Sequence, residues 1–223
     1  MRSRRSQRRD DAVLVIGLGR FGGALAERLE RMGTEVLAVD ESQELVQEWS
    51  GKLTHVVQVD ATNADALRQI GAHEFDIAVV AIGTVIEASV LTTSVLVDIG
   101  IREVWAKAIS APHGRILERL GASHVVYPER DAGLRIARLL KGELIDFIEL
   151  EEGFAMAKVR APKWCAGKSL NGPEIRDQYG VSVVGIKPSG GAFTAEDAVI
   201  ATGDVIIISG STKSVEDFGA KAN

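Results

Sequence analysis

The feature that most constrains this chain is a spaced glycine triplet placed where its first apolar run ends. Ala12 to Ile16 is apolar, Gly17-x-Gly19-x-x-Gly22 follows at once, and a helix-like stretch from Phe21 to Met32 comes next. In such a strand–turn–helix setting the first glycine permits a tight turn and the second lets a phosphate approach the backbone. The third lets helix and strand pack closely. The helix start then offers free N–H groups and a positive dipole end to an anion. Asp40 stands 21 residues after Gly19, at the end of the second apolar run. A carboxylate there can accept both hydroxyls of an adenosine ribose and would repel a 2′-phosphate.

The same punctuation continues. Apolar runs at Ala12–Ile16, Glu35–Val39, Thr54–Val59, Asp76–Ala81, Glu103–Ala106 and His124–Val126 read as buried strands. Helix-like stretches separate them at Phe21–Met32, Gln43–Trp49, Ala64–Ile70, Val85–Ile99 and His113–Leu120. Alternation of this kind predicts βαβ units and a doubly wound, Rossmann-like parallel sheet of the α/β class. Gly33, Gly71, Gly100 and Gly121 fall just past helix ends, where a left-handed cap is wanted. Thr84 and Glu87 have capping-box spacing at the start of the fourth helix.

After Asp131 the pattern changes. One more amphipathic helix leads to a hairpin of Ile145–Leu150 and Ala155–Val159 turning at Gly153. A short helix at Pro173–Tyr179, a strand at Val181–Ile186, a turn at Ser189 to Gly191 and a last strand at Val205–Ser209 complete a small α+β domain. With 223 residues the chain is long enough for two domains. The expected division is a basic disordered tail at 1–10, a nucleotide-binding domain at 11–130, a crossover helix at 131–143 and a C-terminal ligand-binding domain at 144–219.

In an open α/β sheet, ligands bind outside the carboxyl ends of the strands. Reading those ends in order gives Gly17, Asp40, Asp60-Ala61-Thr62, Ile82-Gly83, Lys107 and Glu129. Thr62 could equally cap the following helix, with Asp65 three residues on. Lys107 interrupts an apolar run, where a lysine needs a phosphate or carboxylate partner. Arg20 lies inside the phosphate loop, and its planar fork could pair with a terminal phosphate. That favours a nucleotide with a free β- or γ-phosphate, with NAD still open. A carboxylate at Glu129 facing a γ-phosphate would be repelled unless a cation sat between them, and such oxygen ligands suit magnesium or calcium. Glu129 could otherwise cap the connector helix or pair with Arg130 or Arg135.

Several classes are excluded or disfavoured. A net charge of −5 argues against nucleic acid as the main partner. The arginines at 2, 4, 5, 8 and 9 read as a solvated tail or a weak tether to anionic lipid or to an acidic partner face. Every apolar run is too short to span a bilayer and no leader pattern is visible, so a cytoplasmic protein is expected. Cys165 is the sole cysteine and reads as a small semi-buried residue in a reducing compartment. His55, His73, His113 and His124 have no metal-ligand spacing and read as surface or capping residues. No nucleophile has an evident base, so the chain is not expected to be an enzyme; the alternative is a small NAD-dependent oxidoreductase. A redox-sensing repressor would need a DNA-binding helix pair and a basic face.

Taken together, five segments resemble the RCK family of cytosolic potassium-transport regulators, and in particular the single-RCK subunit of Ktr and Trk uptake systems. They are Val15-Ile-Gly-Leu-Gly-Arg-Phe-Gly22, Val59-Asp-Ala-Thr62, Val79-Val-Ala-Ile-Gly83, Ala106-Lys-Ala108 and Tyr127-Pro-Glu-Arg130. The family pattern usually has glycine where Val59 stands; the contacting groups come after it. The resemblance runs from about Val13 to Ser209. It implies nucleotide contacts from Gly17, Gly19, Arg20, Phe21, Gly22, Asp40, Asp60, Ala61, Thr62, Ile82, Gly83 and Lys107, with ATP, ADP or NAD as ligand. It implies Glu129 as a magnesium or calcium ligand near a dimer interface. It implies dimers assembled into an octameric ring on a membrane-embedded potassium transporter, at the inner face of the membrane. The stretch Leu170 to Lys187 resembles the segment that binds cyclic di-AMP, with Asn171 and Arg176 toward phosphate. Val183 and Val184 would form an apolar platform there, although strand core is an equal reading of that pair.

Overall fold

A computed structural model of the protein describes residues 9–141 and 144–221. The chain divides into two compact units, at residues 1–129 and 130–223. The predicted tail at residues 1–8 and the last two residues of the predicted crossover helix lie outside the described residues. Arg9 and Asp10, expected in the tail, instead begin the first strand.

The first unit is a parallel sheet of six strands. They are β1 (Arg9–Ile16), β2 (Glu35–Asp40), β3 (His55–Gln58), β4 (Phe75–Val80), β5 (Glu103–Lys107) and β6 (His124–Val126), in the order β3-β2-β1-β4-β5-β6. The helices between them are α1 (Arg20–Arg31), α2 (Gln43–Ser50), α3 (Ala64–Gln69), α4 (Ile86–Asp98) and α5 (Ala111–Arg119). This is the doubly wound arrangement expected from the alternation. Side chains alternate along β1 because successive Cβ atoms point to opposite faces. Ala12, Leu14 and Ile16 pack with Leu67, Leu96 and Leu117 of α3, α4 and α5. Val13 and Val15 pack on the other face with Ala26 of α1, and with Leu45 and Trp49 of α2 at its edge. Gly33, Gly71, Gly100 and Gly121 all have positive φ, as the helix ends required.

Two helix starts differ from expectation. The cap of α4 is Val85, which makes no side-chain hydrogen bond, so Thr84 and Glu87 do not form a capping box. The cap of α3 is Asn63, whose Oδ1 accepts the Asp65 and Ala66 N–H groups, so Thr62 does not cap this helix.

The connecting helix α6 (Pro128–Lys141) begins one turn before the predicted position. The second unit holds a four-stranded antiparallel sheet of β7 (Leu144–Glu151), β8 (Phe154–Arg160), β9 (Val181–Lys187) and β10 (Val205–Ser211), in the order β7-β8-β10-β9. Its core joins Phe147, Ala157, Ile206 and Ile208 to Ile175 of α7 (Pro173–Tyr179) and Phe218 of α8 (Thr212–Ala220). The sequence reading ended at the last strand and missed α8. Between β9 and β10 the chain does not return as a tight hairpin, but touches the sheet through an isolated bridge from Ile186 to Thr194. Among the described residues no helix is long and apolar enough to cross a membrane.

Candidate functional site

The first unit gathers the predicted residues along the carboxyl edge of its sheet. Gly17 leaves β1 with φ +96°, and a Cβ there would lie 3.2 Å from the Ala81 and Ile82 backbone. The turn therefore needs glycine for conformation and for space. Gly22 brings α1 onto this turn: an added Cβ would collide with the Gly17 carbonyl oxygen. Gly23 makes similar room for the Trp49 ring. Gly19 differs, since its φ is −64° and, among the described residues, nothing lies within 4 Å of a Cβ built on it. Its missing side chain leaves open space at the start of α1. That helix start has no side-chain cap and no acidic residue in its first turn, so its N–H groups and dipole are available to an anion. Arg20 is exposed on the same turn.

Asp40 closes the loop system. Its Oδ2 accepts the Leu18 N–H at 2.6 Å and its Oδ1 accepts the Ser42 N–H at 2.8 Å. The carboxylate thus ties the β1–α1 turn to the β2–α2 turn. Two carboxylate oxygens have about four acceptor positions, so capacity remains for ribose hydroxyls. The Asp40 carbonyl accepts the Val59 N–H at 2.9 Å, which brings in the next turn. There Asp60 accepts both the hydroxyl and the N–H of Thr62, at 2.6 and 2.9 Å. The Thr62 hydroxyl bond, then its backbone bond, hold the Asp60 carboxyl below the usual range. Ala61 is buried beside them.

At the other end of the edge, Lys107 has the carboxylate partner its position required. Its Nζ lies 2.6 Å from Glu129 Oε1, with Lys107 10% exposed at the side chain and Glu129 64%. The ammonium also sits 5.7 Å from the centre of the Phe21 ring. Gly83 adjoins it, where a Cβ would lie 2.9 Å from Nζ. The hydrogen bond from Lys107 is the largest cause holding the Glu129 carboxyl below its ordinary range, and Arg20 adds a smaller attraction. Arg135 pairs instead with Asp146, at 2.6 Å. Glu129 is therefore charged and mostly solvated, which fits an oxygen ligand for a hard cation. Among the described residues no three His, Cys, Asp or Glu side chains are grouped to hold a metal, so a cation here would need phosphate oxygens as well.

Four features depart from the sequence reading. His113 is not a surface residue but 2% exposed. Its Nδ1 accepts the Ile109 N–H at 3.4 Å, Nε2 has no hydrogen-bond partner among the described residues, and burial lowers its pKa. The other three histidines are exposed. Cys165 is fully buried, and burial pushes its thiol up to about 11, so it is inert. In the second unit Val183 is 8% exposed and belongs to the core, whereas Val184 is 39% exposed. Neighbouring residues of a strand point to opposite faces, so the two valines do not share a platform; the register of β9 against β10 also shifts here, from Val183 to Gly185. Lastly, the backbone partners of Asp40 were not anticipated. Arg176 is exposed and donates to Ser182 Oγ at 3.1 Å, and Asn171 is exposed before α7.

Comparison with known proteins fits this geometry. The TrkA-N domain pattern matches residues 13–128 and the TrkA-C domain pattern residues 154–223. The chain is 36% identical over 207 residues to Ktr system potassium uptake protein A of Bacillus subtilis, covering 92% of this chain and 93% of that one. It is 33% identical over 204 residues to the Vibrio alginolyticus protein of the same name, covering 90% and 93%. Among solved structures, the GsuK channel bound to NAD superposes with a TM-score of 0.64 at 17% identity. That match covers 92% of this chain and 38% of the channel.

Proposed function

Because this chain belongs to the TrkA-N and TrkA-C family that includes the Ktr system potassium uptake proteins, we propose that it is the nucleotide-sensing subunit that gates a membrane potassium transporter. The family supports a regulatory role in potassium transport over the oxidoreductase alternative, since these relatives are named potassium uptake proteins. The ligand is an adenine nucleotide, ATP or ADP, with NAD as a further candidate. The observation that carries this reading is the tied set of turns at the carboxyl edge. An uncapped helix start faces open space at Gly19, and Asp40 holds acceptor capacity 21 residues on. Gly17, Gly22, Phe21 and Ile82 shape the edge, Asp60, Ala61 and Thr62 lie toward the adenosine side, and Gly83 and Lys107 lie toward phosphate.

Arg20 would read a terminal phosphate, and Glu129 would share a magnesium or calcium ion with it. A ligand shifts an equilibrium only by its differential affinity for the two states, and the γ-phosphate is the group that differs between ATP and ADP. The subunit would act as a dimer within an octameric ring docked on the inner face of the membrane through its transporter. The second unit would take cyclic di-AMP near Asn171, Arg176 and Val184, a site that calorimetry with that ligand accepts or rejects.

The central test is calorimetry of nucleotide-stripped protein with ATP, ADP and NAD. Saturable heat with ATP and ADP is expected. The absence of heat with all three overturns the reading.

A further inference from the structure

Lys107 is an expensive residue to bury, and the structure shows what it is kept beside. It is 8% exposed, and an ammonium held out of water needs a partner. The partner is Glu129 at 2.6 Å. Gly83 leaves the space that the ammonium fills, and the Phe21 ring lies on another side of it. Lys107 thus stands between the end of β4, the first turn of α1 and the first turn of α6, all at the carboxyl edge.

We propose that Lys107 is a built-in counter-cation for Glu129, occupying the carboxylate until a nucleotide polyphosphate draws the ammonium away and leaves Glu129 to a divalent cation. The inference rests on the nucleotide reading above and deepens it. Without nucleotide the pair is locally neutral. A divalent cation arriving alone meets a carboxylate already engaged and a positive charge beside it, which repels it. An ammonium has three N–H donors, and one is used on Glu129. A polyphosphate offers several charged oxygens to the other two. Once Lys107 turns to phosphate, Glu129 and the phosphate face each other as like charges, and a cation between them relieves the repulsion. The pair therefore imposes an order in which nucleotide enters first and cation second.

The test measures uptake of radiolabelled calcium by the full chain at a buffered free concentration, with and without ATP. Wild type is expected to bind calcium weakly without nucleotide and well with ATP. Lys107→Met should bind calcium roughly tenfold tighter than wild type without nucleotide, the scale of one charge-assisted hydrogen bond. Adding Glu129→Gln to that variant should remove the gain, and Lys107→Arg should show none. If Lys107→Met fails to fold, Lys107→Gln takes its place. If the neutral variant gains nothing while wild type with ATP still takes up calcium through Glu129, the counter-cation role is wrong and the nucleotide reading stands. If wild type with ATP takes up no calcium that Glu129→Gln abolishes, the shared cation site falls and this inference falls with it.

Discussion

At Asp40 a single carboxylate accepts the Leu18 and Ser42 N–H groups, so removing it unties two turns along with any ligand contact. Asp40→Ala should weaken ATP and ADP binding by about 1.5–3 kcal/mol, the scale of lost charge-assisted hydrogen bonds. It should also lower the Tm of the nucleotide-free protein. Asp40→Asn keeps one acceptor and should recover part of the Tm but little of the affinity. Unchanged affinity in both variants removes Asp40 from the site. Spacing alone located this residue. Its partners were not legible, because they depend on how two turns meet in space. His113 was misplaced for a different reason: a polar residue in the first turn of a helix reads as a cap, yet His113, Gly114 and Leu117 share the buried face of α5. The period from His113 to Leu117 is the signal that could have corrected it. Burial disfavours the imidazolium, so the folded state takes up a proton less readily than the unfolded state, whose histidine titrates near 6.5. The unfolded state binds more protons below that value, and stability falls with pH there while remaining whole above it. The urea midpoint of wild type should therefore drop between about pH 6.5 and 5, and His113→Gln should flatten the drop. A wild-type midpoint constant over that range would show that His113 is not held neutral.

The α1 helix start separates folding from binding within four residues. Gly22→Ala puts a Cβ into the Gly17 carbonyl and should cost about 1–3 kcal/mol of stability, the usual price of overpacking, with nucleotide affinity lost as the turn shifts. Gly19→Ala meets nothing within 4 Å and has an ordinary negative φ. It should leave the Tm within about 0.5 kcal/mol-equivalent of wild type while weakening nucleotide binding, because the methyl group enters the phosphate approach. Equal affinity in Gly19→Ala and wild type would move the phosphate away from this turn. The elements of the first unit were legible because apolar runs and terminal glycines recur together, as at Gly33 and Gly121. The second unit was less so. α8 opens on Ser211, whose side chain accepts the Ser214 N–H, but Thr212 to Ala220 has few large apolar residues, so its pattern is faint. The separation of Val183 from Val184 is the ordinary alternation of a strand, with Val181 and Val183 buried and Val184 exposed, so the period of two in Val181 to Ile186 is the signal that could have separated them.

At the scale of the whole molecule, native mass spectrometry of purified protein tests assembly and ligand together. The expected result is eight copies of the chain with retained mass matching an adenine nucleotide. A monomer with no retained mass at micromolar protein would overturn the ring. The candidate site itself draws on strand ends from Gly17 to Glu129, so it exists only when nearly the whole first unit is in place. Any nucleotide that binds there binds the folded chain and not the unfolded one, and at a hundredfold excess over Kd that adds about 2.7 kcal/mol to folding. The consequence lies in turnover. With the proposed adenine nucleotide as ligand, a copy made while it is scarce would open more often and be more exposed to proteases, whereas a filled copy would persist. The fuel supply of the cell would then set how many regulators survive as well as what they signal, and limited proteolysis with and without ATP would show the difference as a change in the lifetime of the intact first unit.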